Sequence, residues 1–284
     1  MYVQRIWLLF ELELRSLRYP SRLRGRSITS LACRVWAVIK KSRSFDWMGV
    51  RFDAESSYES ILMHVHQQLV LSVISDCKIE NDARVLDIGT HNGQFAACLL
   101  AVRPDLRVTS LEPNPTTFSI ASRNAEIRRD TGLQWNVLPV GLDIETRSRC
   151  FYFVHGRSGQ GSLYRDNATR NLVGPKHLVE TTVEFVNGEE LRRRLGVGHE
   201  CWGLIKIDVE GHEVALVPEI AALEFEYLLV EVGIGRTGGA SPEKMKAAFR
   251  ENGVELVEIS RYGPKSSDVL DVLFKVRHPR PRTA

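Results

Sequence analysis

The chain has 284 residues, 43% hydrophobic and 26% charged, with 11 prolines; this composition excludes collagen-like, low-complexity and wholly disordered chains and, at roughly 100–200 residues per domain, holds one sizeable core with an appendage. The net charge of +3 hides an asymmetry, because eleven Lys or Arg between Met1 and Arg51 stand against Glu11, Glu13 and Asp46, a balance of +8 that leaves −5 for the remainder. A basic segment on a mildly acidic body is expected to meet an anionic surface while the body handles a small molecule.

Residues 2–19 place Val3, Ile6, Trp7, Phe10, Leu14 and Leu17 at helical spacing, with Gln4, Glu11, Arg15 and Arg18 opposite, and Pro20 ends the pattern. A basic link leads to a second short helix around Leu31, Val35, Val38 and Ile39. No apolar run reaches the roughly 18–20 residues that span a bilayer, since Glu11 and Glu13 interrupt the one at Ile6 to Phe10. Neither a transmembrane helix nor a cleaved signal peptide is expected. The amphipathic, basic character of residues 1–41 fits either peripheral contact with an anionic membrane surface, on the inner face of the membrane if the chain is cytoplasmic, or a plain solvated basic face over residues 15–43. Cys33, Cys77, Cys98, Cys150 and Cys201 are odd in number, scattered and never in a C-x-x-C pair, as expected of reduced cysteines in a cytoplasmic protein.

From Ser57 to about Asp76 a longer helix is expected to carry Ile61, Leu62, Val65, Leu69, Val73 and Ile74 inward, with His64 and His66 as ordinary surface or packing residues. The organisation follows: a basic helical extension over 1–55 and a main domain over 56–284. Beyond Arg84, strand-like runs at Arg84–Ile88, Arg107–Leu111, Asn136–Leu142, Gly203–Val209 and Tyr227–Val232 alternate with helical segments at Gln94–Val102, Thr116–Ile127, Val214–Leu223 and Pro242–Glu251. Such alternation predicts an α/β fold, a mostly parallel sheet with helices on both faces. Cys150–Val154 and Thr181–Val186 read as extra strands around a Gly/Ser-rich loop, and Val254–Ile259 with Val269–Val276 read as an antiparallel hairpin closing the sheet.

Two clusters carry chemistry. In VLDIGTHNGQF, Val85 to Phe95, an apolar strand runs into a glycine-bearing turn and then a helix. Glycines belong where the backbone turns tightly and a ligand approaches it. His91 and Gln94 occupy the other two positions of a G-x-G-x-x-G fingerprint, which argues against a dinucleotide. The spacing is Asp87, Gly89, Gly93, and nineteen residues after Gly93 the next strand ends in Glu112, where a carboxylate can take two ribose hydroxyls. In LIKIDVEGHE, Leu204 to Glu213, Lys206, Asp208 and Glu210 recur at period two and share one face of a strand. Three charges in a sheet covered on both sides are costly unless they open into a cleft at its carboxyl end.

With these residues the chain resembles class I S-adenosylmethionine-dependent methyltransferases of the FkbM type. VLDIGTHNGQF resembles the family's first motif, SLEPNP (Ser110–Pro115) its second and IKIDVEGHE (Ile205–Glu213) its most characteristic one; the likeness covers roughly Val85 to Val276. The chain carries His91 where an Asn is usual in the family, and His also serves as a hydrogen-bond donor. The resemblance implies a seven-stranded Rossmann-like sheet, S-adenosylmethionine as cofactor and methyl transfer to an oxygen of a small-molecule or glycan acceptor. It places Asp87, Gly89 and Gly93 around the methionine part of the cofactor, His91 in the same cofactor-binding loop and Glu112 at the ribose. Asn114 is either a ribose or adenine contact or a helix N-cap, and Asp143 either an adenine contact or a turn carboxylate. Asp208 and Glu210 face the acceptor side: Asp208, held ionised by Lys206, orients or deprotonates the acceptor hydroxyl, Glu210 helps position the acceptor and His212 is a second candidate base, or else these residues form a structural ion-pair network with Lys206. No partner ligands stand elsewhere to complete a metal site on this cluster, so no metal is assigned. A nucleic-acid methyltransferase is disfavoured, because the positive charge sits in one terminal arm instead of along a groove with aromatics, and a non-catalytic cofactor-binding module is disfavoured by intact Asp87, Glu112 and Asp208.

Overall fold

In the computed structural model, which describes residues 43–47, 50–56, 59–155, 158–170, 177–198, 200–233, 235–263 and 269–277, one sheet organises the chain. The two helices expected within residues 2–41 lie outside the described residues. The first described element is a hairpin of β1 (Ser44–Trp47) and β2 (Val50–Asp53). It precedes the expected boundary at 55/56 yet belongs to the main core, with Phe52 fully buried there. Asn124 holds it in place by accepting from Asp53 N at 2.7 Å and donating to Asp53 O at 2.8 Å, while also donating to Asn92 O at 2.9 Å.

Helix α1 (Glu59–Asp76) follows, and then the units β3 (Arg84–Ile88), α2 (Gln94–Val102), β4 (Arg107–Leu111), α3 (Pro115–Arg129) and β5 (Gln134–Leu138). After β5 the chain leaves the main sheet for β6 (Gly141–Leu142), β7 (Arg147–Val154), the short helix α4 (Arg165–Thr169) and β8 (Leu178–Val186), which build a separate three-stranded sheet in the order β6-β8-β7. The run expected as one strand over Asn136–Leu142 therefore divides between two sheets, broken at Pro139, which has no N–H to give to a ladder. Helix α5 (Gly188–Leu195) leads back to β9 (Trp202–Ile207), followed by α6 (Val217–Ala221), β10 (Phe225–Gly233), α7 (Pro242–Glu251), β11 (Leu256–Tyr262) and β12 (Val269–Val276).

The seven strands lie in the order β11-β12-β10-β9-β3-β4-β5. Strands β10, β9, β3, β4 and β5 pair in parallel, whereas β12 runs antiparallel to both β10 and β11. This is the mostly parallel sheet that the strand–helix alternation predicts, with the seven-stranded Rossmann-like form that the resemblance implies, closed by the expected antiparallel hairpin. Alternation along the strands splits the core: Val85 and Leu204 pack with α1 and α2, while Leu86, Ile205 and Ile207 pack with α6 and α7. Val65 departs from the expected inward face of α1 and stands 46% exposed, whereas Leu69, Val70 and Val73 are buried. From β3 the chain winds outward through β4 and β5 and returns to β9 on the other flank, so β3 and β9 flank the switch point where open α/β sheets bind ligands. Among the described residues, Cys77, Cys98, Cys150 and Cys201 are thiols outside any disulfide. Among the described residues no helix is long and apolar enough to cross a membrane.

Candidate active site

A cavity of about 280 Å³ opens at the carboxyl ends of β3, β4 and β9. Its cofactor-side wall comes from the turn after β3 and the end of β4. Gly89 has φ +82°, and a Cβ there would collide with the carbonyl oxygen of Asp208, so glycine is required by the close approach of two neighbouring strand ends. His91 also adopts a left-handed φ of 55°. Its backbone N–H donates to Glu112 Oε2 at 2.7 Å and the N–H of Asn114 donates to Oε1 at 2.9 Å, which fixes the Glu112 carboxylate against the cavity. Burial raises the Glu112 carboxyl above its ordinary range, opposed by His91 and these amides.

Of the residues expected to surround the cofactor, Gly89, His91 and Glu112 line the cavity. Asp87 does not. It is fully buried, accepts from Thr90 Oγ1 at 2.6 Å and Ser110 Oγ at 3.3 Å, and lies 3.9 Å from the Lys206 ammonium. Gly93 is required by packing, since a Cβ would strike the Trp135 ring, which is itself held by a 3.0 Å hydrogen bond from Nε1 to Ser110 Oγ. Asn114 is the N-cap of α3, accepting from Thr116 N at 3.0 Å. Asp143 is a turn carboxylate: Oδ1 accepts from Ile144 N at 2.9 Å and Oδ2 from Arg149 at 2.8 Å.

The opposite wall is charged. Strand register sets Lys206 directly beside Asp87, and Lys206 donates to Asp208 Oδ2 at 3.0 Å with its ammonium 5.5 Å from the centre of the Phe95 ring. Burial alone would lower the Lys206 pKa, but Asp208, Asp87 and Asp271 carry it above its ordinary value. Burial likewise opposes ionisation of Asp208, yet Lys206 and Arg236 hold its pKa below the usual carboxylate value. Strand β9 ends at Ile207, so Glu210 reaches this wall through a left-handed residue, φ 54°, instead of by strand alternation. Ser162 Oγ and Asn167 Nδ2 each donate to its carbonyl at 2.8 Å and hold that turn.

Three groups on this wall escape sequence reasoning. Glu231 on β10 and Asp271 on β12 pair in register and both line the cavity, and Arg236 joins Glu231 at 2.7 Å to Glu210 at 2.8 Å. An acid inside an otherwise apolar strand, as in LLVEVG and VLDVLF, is the signal that marks the first two. Oxygens of Asp208, Glu210 and Glu231 lie within 4.8 Å of one another. Burial drives Glu210 up to about 8, Asp271 up to about 7 and Glu231 well above its ordinary value. His66, expected to be an ordinary packing residue, also lines the cavity from α1, and burial with the nearby Lys206 charge pushes it down to about 3, so it is neutral. The Gly/Ser loop contributes Gly159 and Gly161, and the three-stranded sheet closes the site with Phe151 and Phe185.

No family model matches the chain. A protein of Beauveria bassiana (strain ARSEF 2860) described as Methyltransferase 1 is 28% identical over 160 residues, which are 53% of this chain and 64% of the relative, so the match spans less than two thirds of that protein. Among solved structures, magnesium protoporphyrin IX methyltransferase from Synechocystis PCC 6803 with bound SAM aligns at TM-score 0.46 and 13% identity, covering 78% of this chain and 83% of that one. Fibrillarin of Aeropyrum pernix in complex with natively bound S-adenosyl-L-methionine aligns at TM-score 0.45 and 13% identity, covering 82% and 81%.

Proposed function

We propose that the chain is an S-adenosylmethionine-dependent methyltransferase of the FkbM type that methylates a hydroxyl oxygen on a small molecule, sugar or glycolipid. The observation that carries this reading is one cavity with a fixed carboxylate, Glu112, on the β4 side and a charged wall around Asp208 on the β9 side. The residues fit the cofactor. Glu112 accepts a backbone amide on each oxygen with the Thr117 hydroxyl also against it, and its remaining lone-pair capacity can take ribose hydroxyls, while Gly89 keeps the turn free of a side chain. The bound cofactor supplies an electrophilic methyl group on a sulfonium. The protein contributes orientation, since in-line displacement depends strongly on placement of the reacting atoms. Asp208, kept anionic by Lys206, can accept from an acceptor hydroxyl adjacent to the reacting one, and Phe151 with Phe185 limits the entry of water.

Glu112→Gln tests the cofactor side. An amide presents one oxygen in place of two and sets an NH₂ against the N–H of His91 or Asn114, so affinity for S-adenosylmethionine is expected to fall by roughly ten- to a hundredfold, about 1–3 kcal/mol. Titration calorimetry on the folded variant measures this, and unchanged affinity removes Glu112 from the site. The whole reading is tested by incubating the purified protein with labelled S-adenosylmethionine and fractionated extract of its source. Label in a glycan, glycolipid or small-molecule fraction supports it; label in nucleic acid supports the alternative enzyme class, and binding without transfer supports a cofactor-binding module. The basic residues 1–41 support peripheral contact with an anionic membrane, suited to a lipid-linked acceptor. The full chain is then expected to float with anionic vesicles at low salt and to be released at high salt, and indifference to the vesicles ends this idea.

A further inference from the structure

We propose that His212 is the catalytic residue that receives the acceptor's hydroxyl proton, on Nδ1, and that Asp143 is the positioning residue that leaves that nitrogen free. The inference rests on the methyltransferase reading above and adds the destination of the proton. His212 and Asp143 come from the β9 and β6 loops and meet at 3.2 Å, Nε2 to Oδ1. The Asp143 side chain is 2% exposed and further bound by Ile144 N, by Arg149 at 2.8 Å and by Arg147 at 3.5 Å. Burial works against its charge, but these donors and His212 hold its pKa below the ordinary value. An ionised carboxylate only accepts hydrogen bonds, so Nε2 must carry the proton of the neutral ring and the lone pair must sit on Nδ1.

That lone pair is the unexplained group. His212 is 6% exposed and lines the cavity, and its Nδ1 is buried with no hydrogen-bond partner among the described residues. A buried acceptor without a donor is costly, and a hydroxyl in the cavity supplies the donor. Of the other carboxylates on this wall, Asp208 is engaged by Lys206 and Glu210 with Glu231 by Arg236, while Asp271 stands on β12 beside Glu231. In the step, the acceptor oxygen forms its bond to the methyl carbon as the carbon–sulfur bond breaks with its electron pair going to sulfur. The hydroxyl proton passes to Nδ1, the resulting imidazolium is paired with the Asp143 carboxylate, and the proton then leaves to water. The arrangement is the general one of a base oriented through its second nitrogen.

The test uses the full chain labelled with ¹⁵N-histidine. With the His212 ring assigned through its own backbone resonances in the native protein, its imidazole is expected to show Nε2 protonated and Nδ1 unprotonated; the opposite tautomer overturns the proposal whether or not any variant folds. With labelled S-adenosylmethionine and the extract fraction that the native protein labels, kcat is expected to fall about 10²–10⁴-fold in His212→Gln and to fall strongly in Asp143→Asn, whose side chain no longer dictates the tautomer. KM and the calorimetric affinity for S-adenosylmethionine are expected to stay within a few-fold. Native kcat in both folded variants overturns the assignment. Absence of S-adenosylmethionine binding to the native protein overturns the methyltransferase reading itself, an outcome distinct from a wrong tautomer in a protein that binds it.

Discussion

Asp208→Asn is expected to lower turnover by about 10² or more while cofactor affinity stays within a few-fold, because the variant keeps the side chain's size and removes the charge that orients the acceptor. The carboxylate stands at the carboxyl end of β9, held by Lys206 at 3.0 Å. Removing one member of a buried ion pair often destabilises strongly. Here the Lys206 ammonium keeps Asp87 at 3.9 Å and the face of Phe95, and the Asn oxygen still accepts, so the melting point is expected to remain near native. Single-turnover kinetics, calorimetry and thermal melting on one preparation separate the outcomes. A variant that melts early but retains its rate per folded molecule places Asp208 in the scaffold.

Gly89→Ala is expected to damage both stability and cofactor binding. Two costs combine at this position: a left-handed backbone at φ +82° and a Cβ driven into the carbonyl oxygen of Asp208. The first costs about 1–2 kcal/mol and the second about 1–3 kcal/mol, which for a domain of this size lowers Tm by roughly 5–15 °C. The contact is between backbone and Cβ, so relief requires β3 and β9 to move apart where Gly89 and Asp208 line the cavity. Gly132→Ala is the control, since it has the same left-handed backbone at φ +87° and nothing within 4 Å of a Cβ; it is expected to show the backbone cost alone. Equal melting of the two variants, with native affinity for S-adenosylmethionine in Gly89→Ala, refutes the close-approach argument.

Short-range order was open to reading in this chain. The apolar runs that became β3, β4, β9 and β10 lie close to their expected limits, and α2 and α7 start and stop where the side-chain pattern placed them. Period and turn chemistry act over a few residues, and a parallel sheet with helices on both faces is the one layered arrangement that buries such alternating segments. Glu112 and Asp208 were legible for a related reason: a charge at the end of an apolar strand stands at the sheet's carboxyl edge wherever that strand lies. The hairpin at 44–53 was not, because its four-residue strands carry little pattern and Phe52 is buried through contacts with distant parts of the chain.

Tertiary structure decided the rest. Register between β3 and β9 put Lys206 beside Asp87, register between β10 and β12 put Glu231 beside Asp271, and the loop after β6 carried Asp143 to His212 across 69 positions. These pairings depend on which strands become neighbours and at what offset, a global outcome of burying both faces of the sheet, and a slip of one residue in any strand would turn its charges to the opposite face. The sequence by itself determined which residues could carry chemistry at the strand ends; the packed sheet decided which of them share a proton, an ion pair or a cavity wall, because those interactions reach only a few ångströms and the chain brings their members together from far apart.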